Sequence, residues 1–218
     1  MKKRKRALLY GGMALLGAFG LWTAAVILVD RQAVGPLGSV VGLATLNVAF
    51  HNLTGVHMSL YVWTDWLGLV PIGVALSFAL LGLGQWIKRR HFWRVDRSVL
   101  ILGCNYAVVM GIYLLFEVVT VNYRPMLIEG YLEVSYPSST TLLVLCVMPT
   151  AISQLWTRVK QSALRNGITA IIVAFMVFMV VGRLVSGVHW VSDIIGGALV
   201  SGGLFCLYEA AARASEGR

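Results

Sequence analysis

The sequence predicts an all-α integral membrane protein with six transmembrane helices. Hydrophobic residues make up 58% of its 218 residues and charged residues only 12%, whereas globular chains average roughly 45 to 50% apolar residues with glycine included. Six stretches are long and apolar enough, or nearly so, to cross a bilayer core, which needs about 20 helical residues. They lie near 7–29, 61–87, 98–121, 138–156, 168–185 and 191–209. We therefore expect one membrane domain over 1–218.

The basic residues are unevenly distributed among the segments that join these spans. The N-terminal segment, the 88–97 loop, the 157–167 loop and the C-terminal tail hold five, five, three and two of the eighteen Lys and Arg residues. In a six-span topology these segments share one face. Because Lys and Arg concentrate on the cytoplasmic side of a membrane, both termini are predicted to be cytoplasmic. The other face keeps only Arg31, Arg124 and Arg183.

Two segments near the N-terminus need a separate interpretation. The apolar run 7–29 follows a basic segment, but it is longer than the roughly 7 to 15 residues of a signal-peptide core, so we expect a retained anchor. The 30–60 segment contains a moderately apolar stretch at 40–53 that is short for a span. It is predicted to lie along the outer interface or to re-enter the membrane.

Composition also bounds the cofactors and partners. The three cysteines, Cys104, Cys146 and Cys206, lie far apart in apolar runs, without the spacing of a disulfide framework or a zinc site. We expect no metal and no cofactor. The net charge of +9 raises nucleic acid as a partner, but no segment interleaves basic and aromatic residues along an extended face. The basic clusters instead flank apolar runs, which favours membrane lipids as partners.

A histidine and an aspartate in the segment 188–193 are the first candidates for chemistry. His189 and Asp193 are four residues apart and would stack on one face of a helix. The carboxylate could then orient the imidazole and leave its other ring nitrogen free to attack an electrophile. Arg183 and Arg124 offer planar guanidinium groups that suit phosphate oxygens. The plain alternative is that His189 and Asp193 only cap the sixth span.

A second candidate precedes the fourth span, where 136–141 reads Tyr-Pro-Ser-Ser-Thr-Thr. Ser138 or Ser139 can cap the helix that follows, and the free backbone amides of a first turn form an anion site. The alternative is an ordinary start signal for a helix.

Three segments, taken in order, carry a resemblance to a known family. They read Glu-Val-Val-Thr-Val-Asn-Tyr-Arg-Pro at 117–125, Pro-Ser-Ser-Thr at 137–140 and Gly-Arg-Leu-Val-Ser-Gly-Val-His-Trp-Val-Ser-Asp at 182–193. Their order and internal spacing resemble the motifs KxxxxxxRP, PSGH and SRxxxxxHxxxD of the phosphatidic acid phosphatase type 2 superfamily of membrane lipid phosphatases. The resemblance covers about 98–209, which is expected to be a phosphatase-like core.

The resemblance implies a hydrolase of phospholipid metabolism that acts on a lipid phosphate at the outer leaflet through a phosphohistidine. His189 would be the nucleophile, and Asp193 would orient it. The phosphate oxygens would be held by Arg124, Arg183, Ser138, Ser139 and Thr140. The expected location is a bacterial plasma membrane, with the site on the extracytoplasmic side.

Three positions depart from the family pattern. Glu117 stands where the family has a phosphate-binding lysine, and Thr140 stands where it has the histidine that protonates the leaving oxygen. Gly182 replaces a serine. Glu117 could pair with Arg124 across two helical turns, or a buried, protonated Glu117 could replace the missing acid.

These departures leave three functions open. The first is a lipid phosphatase or pyrophosphatase, the second a phosphodiester head-group transferase on the same scaffold, and the third a degenerate protein that binds or transports a phospholipid. The sequence names neither the lipid nor the oligomeric state. The small residues Gly196, Gly197, Gly202 and Gly203 permit close helix packing, within one chain or between chains.

Overall fold

The computed structural model of the protein describes residues 2–216 and is almost entirely helical. Its α-helices are α1 (Lys2–Leu28), α2 (Ala44–Thr54), α3 (Met58–Leu67), α4 (Leu69–Arg89), α5 (Arg97–Val118), α6 (Ser139–Arg158), α7 (Ser162–Val185) and α8 (Val191–Glu216). Two short 3-10 helices, Pro36–Gly38 and Phe92–Arg94, lie in the connections. The prediction of an all-α fold is confirmed.

Within residues 2–216, six helical stretches are long and apolar enough to cross a membrane. Five of them belong to the single helices α1, α5, α6, α7 and α8, and the sixth joins α3 to α4 through Gly68. The predicted number of spans is therefore confirmed. Several helices extend a few residues beyond the predicted bounds, because polar residues at the helix ends continue the hydrogen-bonded turns past the apolar stretch.

Helix α8 packs at the centre of the bundle, mainly against α1 and α6. Glycines allow this close approach: a β-carbon on Gly203 would lie 2.8 Å from Cγ of Leu16, and one on Gly196 would lie 2.7 Å from the ring of Tyr136. Both contacts are within one chain. Gly196 and Gly203 thus take part in helix packing within the chain.

The two ends of the bundle differ in charge. Since successive spans alternate in direction, the start of α1, the α4–α5 and α6–α7 connections and the end of α8 lie at one end, and this end carries the basic segments. The opposite end contains the close of α5 and α7 and the starts of α3, α6 and α8. The candidate site residues lie at this second, less basic end.

Candidate active site

His189 lies in the turn that precedes α8. Because α8 begins at Val191, the predicted stacking of His189 and Asp193 along one helix face is wrong. The two side chains nevertheless meet: Nδ1 of His189 is 3.5 Å from Oδ2 of Asp193, and the side chains are 2% and 0% exposed. The turn, rather than a continuous helix, brings the imidazole to the carboxylate.

A glycine lets this turn approach the connection between α2 and α3. Gly187 has a φ of 72°, in the left-handed region that glycine adopts most readily. A β-carbon at this position would collide with the carbonyl oxygen of Gly55. Next to it, the amide of His57 donates a hydrogen bond to the carbonyl of Ser186 at 2.9 Å. The turn that holds His189 is therefore fixed against the rest of the bundle.

Asp193 serves both the helix and the histidine. Its Oδ2 accepts a hydrogen bond from the backbone amide of Trp190 at 3.0 Å, while its own amide donates to the Trp190 carbonyl at 3.1 Å. A side chain at the third helical position that reaches back to the capping residue forms half of a capping box. The same oxygen faces Nδ1 of His189. Capping and orientation, which the sequence presented as alternatives, are both available to this carboxylate.

Asn47 of α2 holds the first turn of α8 in place. Its Nδ2 donates to the carbonyl of Gly42 at 2.8 Å and approaches Oγ of Ser192 at 3.0 Å, and its Oδ1 accepts from the Ser192 amide at 3.1 Å. Trp22 of α1 adds a hydrogen bond from Nε1 to the Ser192 carbonyl at 3.0 Å. These contacts join three helices next to the histidine, and no motif in the sequence signals them.

Two guanidinium groups come together over the ring of Tyr61. The Cζ atoms of Arg124 and Arg183 lie 5.8 and 5.0 Å from the ring centroid, and both residues are buried, at 9% and 1% exposure. Arg183 is 3.3 Å from Oδ1 of Asp65, and Nε of Arg124 is 3.0 Å from Oε2 of Glu133. Sequence reasoning missed Tyr61, Asp65 and Glu133 as partners, because nothing but the tertiary fold connects them to the motifs.

Several buried nitrogen atoms of this cluster have no hydrogen-bond acceptor among the residues described. They are NH1 of Arg124 and Nε and NH1 of Arg183. Nε2 of His189 also has no hydrogen-bond partner, whereas Nδ1 faces Oδ2 of Asp193 at 3.5 Å. Buried polar groups are nearly always paired, and an unsatisfied donor costs about 1 to 3 kcal/mol. An anion with several acceptor oxygens would satisfy these nitrogens together.

The environment also sets the ionisation of His189. Burial lowers its pKa well below the usual value for histidine, and the positive charges of Arg124 and Arg183 lower this pKa further. The backbone of Ser135 acts weakly in the opposite direction. The ring is therefore neutral at neutral pH and keeps a nitrogen lone pair available for nucleophilic attack.

A cavity of about 410 Å³ opens beside His189. Its volume lies within the range of small-ligand sites, about 300 to 1,000 Å³. Besides His189, its polar and aromatic lining comes from Tyr113, Phe116, Glu117, Arg124, Glu133, Ser135, Tyr136 and Ser139. Within residues 2–216, no three His, Cys, Asp or Glu side chains are grouped so that they could hold a metal ion.

The segment that carries these residues is similar to a known family. Residues 120–214 match the model of the PAP2 superfamily, and this stretch includes Arg124, Arg183, His189 and Asp193. Over these residues the chain is similar to the PAP2 superfamily. The matched segment overlaps the core predicted at 98–209. Among curated proteins, none matches the sequence significantly.

The fold of this protein is similar to that of a solved membrane protein, described as the first transmembrane PAP2 type phosphatidylglycerolphosphate phosphatase from Bacillus subtilis. The two share 19% sequence identity, with 92% of this chain and 94% of that chain covered and a TM-score of 0.53. Similarity at this level of identity concerns the fold. Together with the six apolar helices, it identifies the chain as an integral membrane protein.

The PAP2 segment 137–140 forms the start of α6. Oγ of Ser138 accepts from the Thr141 amide at 3.5 Å, and the Ser138 amide donates to the Asp193 carbonyl at 3.1 Å. Ser138 thus caps α6 and links it to α8. Ser139 lines the cavity. Thr140 packs near Gly68 instead: its Cγ2 lies 3.7 Å from the position that a β-carbon on Gly68 would occupy. The roles of these residues as phosphate ligands remain predictions.

Glu117 lies in the last turn of α5, whereas Arg124 lies in the loop that follows. Because α5 ends at Val118, the two side chains do not share a helix face, and the expectation that they pair across two turns is wrong: Arg124 pairs with Glu133. Glu117 interacts with Tyr113, one turn earlier, and lines the cavity. The residue is exposed, so the expectation that Glu117 is buried is wrong.

Gly182, the third departure from the PAP2 pattern, packs tightly against α3. A β-carbon at this position would lie 2.7 Å from Cγ2 of Thr64. We expect Gly182→Ser to destabilise the protein by about 1 to 3 kcal/mol through overpacking, seen as a lower midpoint of thermal unfolding in detergent. Thr64→Ser removes the opposing methyl group and keeps the hydroxyl, so the double variant Gly182→Ser/Thr64→Ser should recover most of the lost stability. If the stability losses of the two single variants simply added in the double variant, overpacking would be contradicted.

Proposed function

We propose that this protein is a membrane enzyme of the PAP2 type, which hydrolyses the phosphate or pyrophosphate group of a lipid through a phosphohistidine intermediate. The observation that carries the proposal is the set of buried guanidinium nitrogens of Arg124 and Arg183 that lack acceptors, together with the unpartnered Nε2 of His189. A phosphoryl group among them would give its oxygens to the guanidinium N–H groups. It would also present phosphorus to a neutral imidazole.

In the proposed first step, the lone pair on Nε2 of His189 attacks phosphorus while the bond from phosphorus to the lipid oxygen breaks. Asp193, next to Nδ1, keeps the proton on that nitrogen and stabilises the positive charge that develops on the ring. The guanidinium groups of Arg124 and Arg183 stabilise the negative charge on the phosphoryl oxygens. The departing lipid oxygen takes a proton from solvent water. A water molecule then attacks phosphorus and gives up a proton to solvent, the electron pair of the phosphorus–nitrogen bond returns to Nε2, and phosphate leaves.

The proposal also includes a location. We infer that the site faces the outer leaflet of a bacterial plasma membrane and that both termini are cytoplasmic. The support is the gathering of basic residues at the end of the bundle opposite to His189, because such residues stay on the cytoplasmic side. Membrane lipids would then be the partners, and the substrate would approach the site from within the bilayer.

The test measures phosphate release in mixed micelles from phosphatidic acid, a long-chain alkyl phosphate and a long-chain alkyl pyrophosphate. Wild-type protein is expected to release phosphate from at least one of them and to carry acid-labile phosphate on His189 after rapid quenching. His189→Ala should lower the rate by at least about 10³-fold, since loss of a nucleophile removes the covalent path. His91→Ala, which removes a histidine at the opposite end of the bundle, is the matched control. Equal rates for wild type and His189→Ala would contradict the proposal.

A further inference from the structure

A groove of about 540 Å³ lies between α4 and α5 and shares no residue with the cavity of the candidate active site. The buried side chains of Val95, Val99 and Leu102 form part of its wall. The hydroxyl of Tyr106, which also lines the groove, is already hydrogen-bonded to a threonine of α6 at 2.8 Å. Nearly all of the lining is aliphatic or aromatic, so the groove suits an apolar ligand.

The length of the groove matches one leaflet of a bilayer. On α4 its lining runs from Ala75 to Trp86, which at 1.5 Å per residue corresponds to about 16 Å. The hydrocarbon core of a bilayer is about 30 Å thick, so the groove covers about half of it. The end at Trp86 lies next to the α4–α5 connection, at the basic end of the bundle. An acyl chain that enters there would stay within one leaflet.

Aromatic rings mark the end of the groove that lies at the membrane surface. Trp86 and Phe92 both line the groove, and their rings meet edge to face with centroids 6.2 Å apart. Trp93, which is 77% exposed, packs against Phe92 with a centroid distance of 5.4 Å. Tryptophan concentrates at the boundary between the hydrocarbon core and the lipid head groups. This end of the groove therefore lies at the level of the head groups.

Basic side chains flank these aromatic rings along the chain. The segment 88–97 carries five of them, and NH1 of Arg89 is paired with Oδ1 of Asp96 at 3.0 Å. The other four are exposed and, within residues 2–216, take part in no ion pair: Lys88, Arg90, Arg94 and Arg97. Clusters of basic residues at a membrane surface attract anionic lipids. The phosphate of such a lipid would supply the negative charge that these side chains lack.

A second copy of the chain suits this groove less well than a lipid does. Two copies with the same orientation in the membrane would bring their 88–97 segments together at one surface. The unpaired basic side chains of the two copies would then repel one another. An anionic phospholipid has the opposite charge and also supplies the apolar chain.

We propose that the groove between α4 and α5 binds one anionic phospholipid, with an acyl chain between the two helices and the phosphate among the basic side chains of the 88–97 segment. The lipid belongs to the leaflet at the basic end of the bundle, which is the cytoplasmic leaflet in the proposed orientation. It is therefore a bound partner and not the substrate. The inference does not depend on the proposed hydrolysis, because the two sites lie at opposite ends of the bundle.

The test uses purified protein in phosphatidylcholine vesicles that contain a trace of a lipid with a photoreactive diazirine in one acyl chain. Two probes with identical chains are compared, one a phosphatidylglycerol and the other a phosphatidylcholine. After illumination, mass spectrometry measures the labelling of residues 75–107. The phosphatidylglycerol probe should label this segment about fivefold more strongly or better, the ratio expected from one basic residue near an anionic group. Equal labelling by the two probes would overturn the proposal.

Gly103→Leu tests whether the lipid chain occupies the groove. Gly103 lines the groove, and a β-carbon there would meet no atom within 4 Å, so the helix accepts a side chain that fills the space. Labelling of residues 75–107 by the phosphatidylglycerol probe should fall about fivefold or more. Gly111→Leu is the matched control, because Gly111 also lies in α5 with open space around it but does not line the groove. Undiminished labelling in Gly103→Leu would overturn the proposal.

The double variant Arg90→Gln/Arg94→Gln tests the contact with the head group. The groove stays open in this variant, so both probes should still label it, but the preference for phosphatidylglycerol should disappear. Lys3→Gln/Lys5→Gln removes two exposed charges of α1 at the same end of the bundle and should keep the preference. A preference that persists in the arginine variant, or that the lysine variant loses equally, would overturn the head-group contact. The arginine variant also guards against misfolding of Gly103→Leu.

A second copy of the chain in the groove is detected through Cys104, which is exposed and lines the groove. Oxidation with copper phenanthroline in the same vesicles should leave the wild-type chain monomeric. Disulfide-linked dimers that are absent from Cys104→Ser would place a second chain in the groove and overturn the lipid as its occupant.

Discussion

Replacing Asp193 by asparagine is expected to lower lipid phosphate hydrolysis by about 10³- to 10⁴-fold, the scale of the loss when a carboxylate that orients a catalytic histidine becomes an amide. Asparagine retains an oxygen that can accept from the Trp190 amide, so most of the cap should persist. It loses the negative charge 3.5 Å from Nδ1 of His189, and with it the control of the ring proton. The measurement is kcat in mixed micelles, together with the amount of phosphohistidine after quenching.

Asp193→Ala separates catalysis from folding. This variant also removes the hydrogen bond to the Trp190 amide, which should cost about 1 kcal/mol of stability beyond the loss of activity. Thermal unfolding would report that difference between the alanine and asparagine variants. Glu209→Gln, which neutralises another buried carboxylate of α8, is the control for a general effect of charge. Activity of Asp193→Asn close to wild type would contradict the orienting role.

Arg183→Lys is expected to reduce kcat/KM by about 10²-fold although it keeps the positive charge. Lysine lacks the planar fork that can give two parallel hydrogen bonds to one phosphoryl group, and a hydrogen bond to a charged group contributes about 1.5 to 3 kcal/mol. The unpartnered Nε and NH1 of Arg183 are the atoms that this change removes. The weakened affinity should appear as a raised inhibition constant for inorganic phosphate.

Arg165→Lys is the matched control for that substitution. Arg165 lies over the ring of Trp156, with 4.1 Å from Cζ to the centroid, at the end of the bundle away from His189. This control should leave phosphate inhibition unchanged. An inhibition constant for Arg183→Lys equal to that of wild type would remove Arg183 from the proposed phosphate site.

The sequence predicted the spans well because each residue contributes separately to the free energy of inserting a helix into the bilayer, so that a long apolar run directly indicates a span. It predicted the contact between His189 and Asp193 but assumed the wrong backbone, since hydropathy does not resolve that α8 begins at Val191. The same limitation explains the error over Glu117: a helix assumed to continue to 121 ends at Val118. Boundaries depend on capping hydrogen bonds, which an apolar run does not encode.

The partners of the two arginines could not be predicted for a different reason. Asp65 and Arg183 are 118 residues apart, and the ring of Tyr61 lies beneath both guanidinium groups. Such pairings arise from the docking of α3 against α7, which no single segment specifies. The sequence showed the two arginines of the motifs, but it did not show which side chains pair with them.

The contacts of Ser192 with Asn47 and Trp22 have a consequence for the energetics of the proposed hydrolysis. They hold the turn of His189 against α1 and α2 before any lipid binds. The imidazole is therefore ordered once, during folding, and does not have to be ordered again in each catalytic cycle. A dipolar environment that is already oriented needs little reorganisation when charge develops in the transition state. The rate should then be limited by the passage of lipid into and out of the cavity, and by the chemistry itself, rather than by closure of the protein around its substrate.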